Sequence, residues 1–353
     1  MYCIGHHILS PIANGSESNL HAILSGKSAL AFYHQHFPSV EPFCASLFES
    51  APTFTQLCIQ SAEQAIHDAN MDASSPSVVF VLSTTKGDNL QLLSPAQQIV
   101  RHFGNPNSPI VVSNACVSGV SAQIAAWRLL RSGKYTTAIV IGCDVQSQFI
   151  VSGFQSFKAL SDSPCRPFDA ERIGLNLGEA VATMIYSSER PKKSCWQLIA
   201  GSMHNDANHI SGPSRTGEGS YRCLVDVLQN CNTADINALS VHGTATLYND
   251  EMEAIAIHRA HMQEVPILAF KGYYGHTMGA AGVLETILTM LALENGTLIG
   301  NPRYEACGTS YALNITKEHR SLGKLPMYFI KMMSGFGGCN AAIRLSYCGC
   351  DEL

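Results

Sequence analysis

Ile110-Val111-Val112-Ser113-Asn114-Ala115-Cys116-Val117-Ser118-Gly119 reads as a short apolar strand that passes through a polar turn into a helix of small residues over 119–130. The second half of the chain repeats this arrangement: the strand Ile267-Leu268-Ala269-Phe270, then His276, then a helix over 279–293. Cys116 and His276 are separated by 160 residues, and so are Thr84, closing Leu82-Ser83-Thr84, and Thr244, in His242-Gly243-Thr244. Glu179-Ala180-Val181-Ala182 and Asn340-Ala341-Ala342-Ile343 match at a separation of 161. Three matches at nearly one offset predict two similar halves. Residues 1–190 carry Cys116, and residues 191–353 carry His242 and His276.

Outward from these stretches, strand-like segments at 77–82, 109–113, 138–143, 238–241, 267–270 and 327–332 alternate with helical ones. That pattern predicts an α/β fold with a sheet covered on both faces. In a duplicated unit of this kind, matched strand ends meet at the pseudo-symmetry axis. Ligands of open α/β sheets bind outside the strand ends, so Cys116, His242 and His276 are expected to share one site.

The 353 residues are 46% hydrophobic and 14% charged, enough to bury a large core. The net charge is −5 with basic residues scattered, which argues against a nucleic-acid partner. Thirteen cysteines show no C-x-x-C spacing and fall well below the density of disulfide scaffolds, so most are expected to be small buried hydrophobes. Met1-Tyr2-Cys3-Ile4-Gly5 lacks a basic start, and no run of about 18 apolar residues occurs. The expected location is the cytoplasm, without membrane association.

Cys116 at a strand-to-helix turn faces free backbone N–H groups and the positive end of a helix dipole, which favour a thiolate and later an oxyanion. Most cysteines are inert core residues, and a lone histidine is more often a hydrogen-bonded core group than a catalytic one. Two histidines at matched strand ends opposite a strand-end cysteine reverse that weighting. Zinc is the competing functional reading; with the three residues far apart in sequence and no paired-ligand spacing, no metal and no cofactor are expected.

With these motifs in hand, the chain resembles the β-ketoacyl-acyl carrier protein synthases of the thiolase superfamily, in their elongating Cys-His-His form, from about Ser10 to Tyr347. The resemblance is carried by Asn114-Ala115-Cys116-Val117-Ser118-Gly119, Gly153-Phe154-Gln155-Ser156-Phe157-Lys158-Ala159-Leu160-Ser161, and Cys165-Arg166-Pro167-Phe168-Asp169. It continues in His242-Gly243-Thr244-Ala245-Thr246 with Asp250, in Lys271 with His276 and Glu285, and in Gly335-Phe336-Gly337-Gly338-Cys339-Asn340. It implies a thiolase-like fold of two pseudo-symmetric halves in an αβαβα core. It also implies decarboxylative condensation of an acyl thioester on Cys116 with malonyl-acyl carrier protein, in fatty acid, polyketide or polyene synthesis.

For individual residues the resemblance implies that His242, His276 and Lys271 serve the malonyl half-reaction. Phe336 and Gly337 would form the oxyanion hole and gate, and Thr244, Thr246, Phe154 and Asp206 would contact substrate. Glu285 and Asp250 would support from behind, and Lys158 would meet the carrier protein. The loop 205–213 resembles a second gate. Implied partners are acyl carrier protein, malonyl and acyl thioesters, and a homodimer or a heterodimer with another ketosynthase-like subunit. The alternatives are a thiolase acting on acyl-coenzyme A, or the catalytic member of a ketosynthase–chain-length-factor pair. Three departures stand out: a compressed first half, Gly178-Glu179-Ala180 in place of Gly-Glu-Gly, and Cys339 at a position that is commonly Thr or Ser in the family. Thiolases use a second cysteine near such a C-terminal glycine loop.

Overall fold

The computed structural model describes residues 1–50, 53–210, 212–323 and 326–349. Ten strands form the main sheet: β1 (Tyr2–Leu9), β2 (Val78–Ser83), β3 (Ile110–Val112), β4 (Thr137–Asp144), β5 (Ala180–Ser187), β6 (Cys195–Asn205), β7 (Ile236–Ser240), β8 (Ile267–Leu268), β9 (Tyr328–Gly335) and β10 (Cys339–Cys348). Their order is β8-β7-β9-β10-β6-β1-β5-β4-β2-β3. From the junction outward, one side runs 1-5-4-2-3 and the other 6-10-9-7-8, the same order raised by five. The pairing senses match as well. β1–β5 and β4–β5 are antiparallel while β4–β2 and β2–β3 are parallel, as are their counterparts in the second half. The two halves join at one antiparallel pair, Tyr2 with Gln197.

Six helices repeat in the same way: α1 (Phe54–Ala69), α2 (Leu93–His102) and α3 (Ser118–Arg131), then α4 (Glu218–Leu228), α5 (Leu247–Arg259) and α6 (Ala281–Glu294). α1 lies on the outer face of the first half, and α4 on that of the second. α3 and α6 pack on each other and on strands of both halves, which completes the five layers. Their sequences fit that place. α6 is buried at every position from Ala281 to Leu293, as a helix between two sheets must be. The pair crosses at Gly119 and Gly282, where a Cβ on Gly119 would lie 2.8 Å from the Cα of Gly282. No larger residue fits there without moving a backbone.

The six expected strands are all present. Sequence reading missed β1, β5, β6 and β10, the antiparallel ones. β2 is an apolar run up to Ser83, and both β2 and β7 are buried along their whole length, although Asn237 interrupts the second. β1 carries Gly5, His6 and His7, and β10 has Asn340 and two alanines after its first residue, residues with weak strand preference that tertiary pairing overrides.

Between β1 and α1 lie two short strands, Ala31–Tyr33 and Phe43–Ser46, which form a small sheet with Leu177–Gly178 from the segment before β5. Phe43, Leu47, Val151, Phe154, Leu175, Leu177 and Met278 form one apolar cluster beneath it, so this segment walls one side of the site. No described helix is long and apolar enough to cross a membrane.

Candidate active site

Cys116 follows β3 in a turn that forces Ala115 to φ +45°, a left-handed conformation that costs a non-glycine residue of order 1 kcal/mol. The Ser118 hydroxyl holds this turn, accepting from the Asn114 N–H at 2.7 Å and donating to the Ala115 carbonyl at 2.6 Å. The sulfur is buried and receives the backbone N–H groups of Cys116 and Phe336. Sequence reading expects the helix terminus to favour a thiolate. The structure corrects this: burial pushes the thiol up to about 11, outweighing the attraction of Lys271 and the two N–H groups. The resting group is a thiol.

His242 continues from β7, and its backbone is clamped on both sides. Glu253 accepts the N–H of His242 and that of Gly243, each at 2.7 Å, while Lys271 Nζ donates to the His242 carbonyl at 2.5 Å. His276 is fixed by the Leu177–Gly178 strand: its N–H donates to the Asn176 carbonyl at 2.7 Å, and its carbonyl accepts from Gly178 at 3.0 Å. Gly275 is required there. It has φ +66°, and a Cβ would fall 2.4 Å from the Leu177 carbonyl oxygen.

The two imidazoles meet edge to face, centroids 5.0 Å apart at 78°. The cysteine sulfur and a nitrogen of each ring all lie within 4.8 Å of one another. Burial, with Lys271 and Lys331, pushes both histidines well below the ordinary range, so both rings are neutral. His276 Nδ1 accepts the Met278 N–H at 3.3 Å, which assigns the ring proton to Nε2, and among the described residues no group partners that nitrogen. His242 Nδ1 is likewise unpartnered. Two neutral rings in front of two ammonium groups favour an anion at this point over a metal cation.

These three side chains line a cavity of about 460 Å³ together with Phe154, Phe157, Lys158, Thr244, Thr246 and Phe336. Thr244 and Thr246 share a hydroxyl–hydroxyl bond of 2.9 Å, and Asp250 holds their turn by accepting the N–H groups of Thr244 and Ala245. Phe336 stacks on Phe154 with centroids 5.8 Å apart and meets the edge of Phe157 at the same distance. Lys158 is exposed at the rim.

The structure shows which groups engage three expected residues, Lys271, Asp206 and Gly337, and where Cys339 lies. Lys271 is buried but does not line the cavity; its ammonium is taken up by the His242 carbonyl and by Glu285 at 2.8 Å, so it acts through its field and through His242. Asp206 lines the cavity, yet its oxygens accept from Gly219, Ser214 and Asn340, which makes it a brace of the surrounding loops. The Gly337 N–H donates to the Ile210 carbonyl at 2.7 Å, leaving Phe336 alone to supply an N–H from that loop to the sulfur. Cys339 lies outside the cavity lining, its sulfur accepting from Asn205 at 3.5 Å. In the loop 205–213, Ser211 falls outside the described residues.

Sequence reading missed Lys331, Glu253 and Asp144. A lysine inside the apolar strand Tyr328–Gly335 was the available signal for the first. Asp144 ends β4 and accepts from Thr84, Thr85 and Gly279, joining the halves beside His276.

Residues 94–190 match the family model described as the N-terminal domain of beta-ketoacyl synthase, and residues 197–305 match that of its C-terminal domain. The chain belongs to the β-ketoacyl synthase family. It is therefore a condensing acyltransferase, working on acyl thioesters in fatty acid or polyketide synthesis. Among curated relatives, 3-oxoacyl-[acyl-carrier-protein] synthase 2 of Coxiella burnetii is 26% identical, with 97% of both sequences covered. The protein of the same name from Rhizobium meliloti is 30% identical over 72% of this chain and 64% of its own. A chain of the ketosynthase–chain length factor complex from Xenorhabdus doucetiae shares the fold, with TM-score 0.90, 21% identity and 98% of each chain covered.

Proposed function

We propose that this β-ketoacyl synthase carries its acyl group on Cys116 and condenses it with malonyl-acyl carrier protein. As sulfur attacks the acyl thioester, the thiol proton passes to neutral His242. The carbonyl oxygen gains charge between the N–H groups of Cys116 and Phe336, and the carrier thiolate leaves with the proton from His242. Malonyl thioester then enters with its carbonyl oxygen facing His276 Nε2–H and the His242 ring. Loss of carbon dioxide leaves an enolate held by those two donors. Its carbon attacks the acyl-Cys116 carbonyl, giving the β-ketoacyl thioester and a Cys116 thiolate that takes one proton from solvent to return to the resting thiol. Thr244 and Thr246 hold the thioester arm, and the Phe336 ring, stacked on Phe154, swings to admit the acyl chain.

The observation that carries this reading is the approach of one sulfur and two neutral imidazoles within 4.8 Å in a shared cavity. Exposed Lys158 at the rim suits an acidic carrier protein, and a related solved assembly is a ketosynthase with its acyl carrier protein. Among the described residues β3 is the last strand on its side of the sheet, which suits pairing with a second subunit, its own copy or a ketosynthase-like partner. We place the protein in the cytoplasm and divide its two α/β units near residue 190. Intact-mass measurement after incubation with acyl carrier proteins is expected to show one acyl group added to the wild type and none to Cys116→Ala. An alanine variant that gains the same mass overturns the assignment.

A further inference from the structure

Lys331 stands in the middle of β9, fully buried between Phe329, Ile330, Met332 and Met333. Burying an ammonium costs several kcal/mol unless it is closely paired, and an aliphatic residue at such a place is commonly neutral or better for stability. Lys331 is paired closely. Its Nζ lies 2.5 Å from Glu285 Oε2 and donates to the carbonyls of Val241 at 2.8 Å and Ser240 at 3.3 Å. The other oxygen of Glu285 takes Lys271, which donates to the next carbonyl along, that of His242. Three consecutive carbonyls at the end of β7 are thus held by two ammonium groups that share one carboxylate.

We infer that Lys331 is a positioning residue of the condensing reaction: with Lys271 and Glu285 it fixes the strand end that carries His242 and keeps a net positive charge behind the two imidazoles. This rests on the reading that those imidazoles receive the malonyl enolate. Two ammonium groups stand against the carboxylate of Glu285 and that of Glu253, and because burial raises Glu253 to about 7 and leaves it only part-ionised at neutral pH, a net positive charge remains. Its field falls where the enolate oxygen develops, stabilises that charge, and keeps both rings neutral so that they donate from N–H without becoming imidazolium. The charged groups facing this point are few. Glu285 on α6, Lys271, and Glu253 on α5 face Lys331. Lys271, Lys331 and the neighbouring ring face His242, the two lysines face His276, and Lys271 and Asp144 face Cys116. Glu253 lies in the same field, and burial raises its carboxyl to about 7, so Lys331 also favours the charged form that clamps the His242 N–H.

The test is the pH profile of carbon dioxide release from malonyl-acyl carrier protein. In Lys331→Gln the imidazoles lose a repelling charge, so the acid limb is expected to move up by roughly one pH unit and the rate at neutral pH to fall about tenfold. Lys331→Arg is expected to keep the limb in place. A glutamine variant whose limb coincides with that of the wild type, at any rate, overturns the inference, because a merely structural loss lowers the rate without moving the limb. Should that variant fail to fold, Glu285→Gln decides: the limb is expected to move to lower pH, and an unmoved limb overturns the inference. The parallel His276→Ala variant separates the two readings. Wild-type carbon dioxide release there sinks the imidazole assignment itself, while loss there together with an unmoved limb in Lys331→Gln sinks only the role of Lys331.

Discussion

The two halves of this synthase share a strand order and a helix order, yet their strand ends meet the site with opposite equipment. The first half offers one sulfur on a turn held by a serine hydroxyl, and one buried acid, Asp144, beside Lys86 at 3.3 Å. The second half offers two neutral imidazoles backed by Lys271, Lys331, Glu285 and Glu253, all buried. Duplication thus supplied two matched strand-end positions at one axis, and divergence divided the labour. In the proposed reaction the half that carries the acyl group has little charge beneath the sulfur. The half proposed to meet developing negative charge has cations behind it.

The largest expected effect breaks this division outright. His276→Ala is expected to lower condensation by about 100- to 10,000-fold while acyl loading on Cys116, followed by intact mass, continues. An equal loss of both steps would mean that the halves do not divide the reaction. A smaller effect tests the link between the halves. Asp144→Ala leaves the Thr85 and Gly279 N–H groups and Lys86 without their buried acceptor, and is expected to cost about 3–5 kcal/mol in denaturant unfolding. A variant as stable as the wild type would remove Asp144 from that role.

The smallest effect concerns pH. Both imidazoles titrate well below 6.5 when folded, so below about that pH the unfolded chain binds more protons than the folded one, and stability falls as pH falls. The slope is at most about 1.4 kcal/mol per pH unit for each histidine. His6, lowered to about 4 by burial, adds to it. Unfolding midpoints between pH 7.5 and 5.5 are expected to show a shallower slope in His276→Ala than in the wild type, and an unchanged slope would count against a neutral His276.

Much of this was legible in sequence because the parallel strands are mainly apolar and the turns that follow them are made of polar and small residues. The repeat sets Cys116 opposite His276 and Thr84 opposite Thr244. The antiparallel strands were harder to see, since β1 and β10 owe their conformation to neighbours far along the chain. The site was legible in its cast and not in its couplings. Asp206 reads as a substrate contact and Gly337 as part of the oxyanion hole and gate, but whether a carboxylate or an N–H is free depends on what else reaches it, and here Gly219, Ser214, Asn340 and Ile210 do.

Sequence by itself fixed the α/β class, the duplication, and the identity of the sulfur and the two imidazoles, because periodicity and local turn chemistry are written in neighbouring residues. Only the tertiary structure decided the protonation of the site. Burial holds Cys116 as a thiol and both histidines neutral, and it brings Lys331 of one strand against Glu285 of a helix 46 residues away. Desolvation and the pairing of buried charges depend on all the chain that surrounds a group, and no local pattern of residues specifies that.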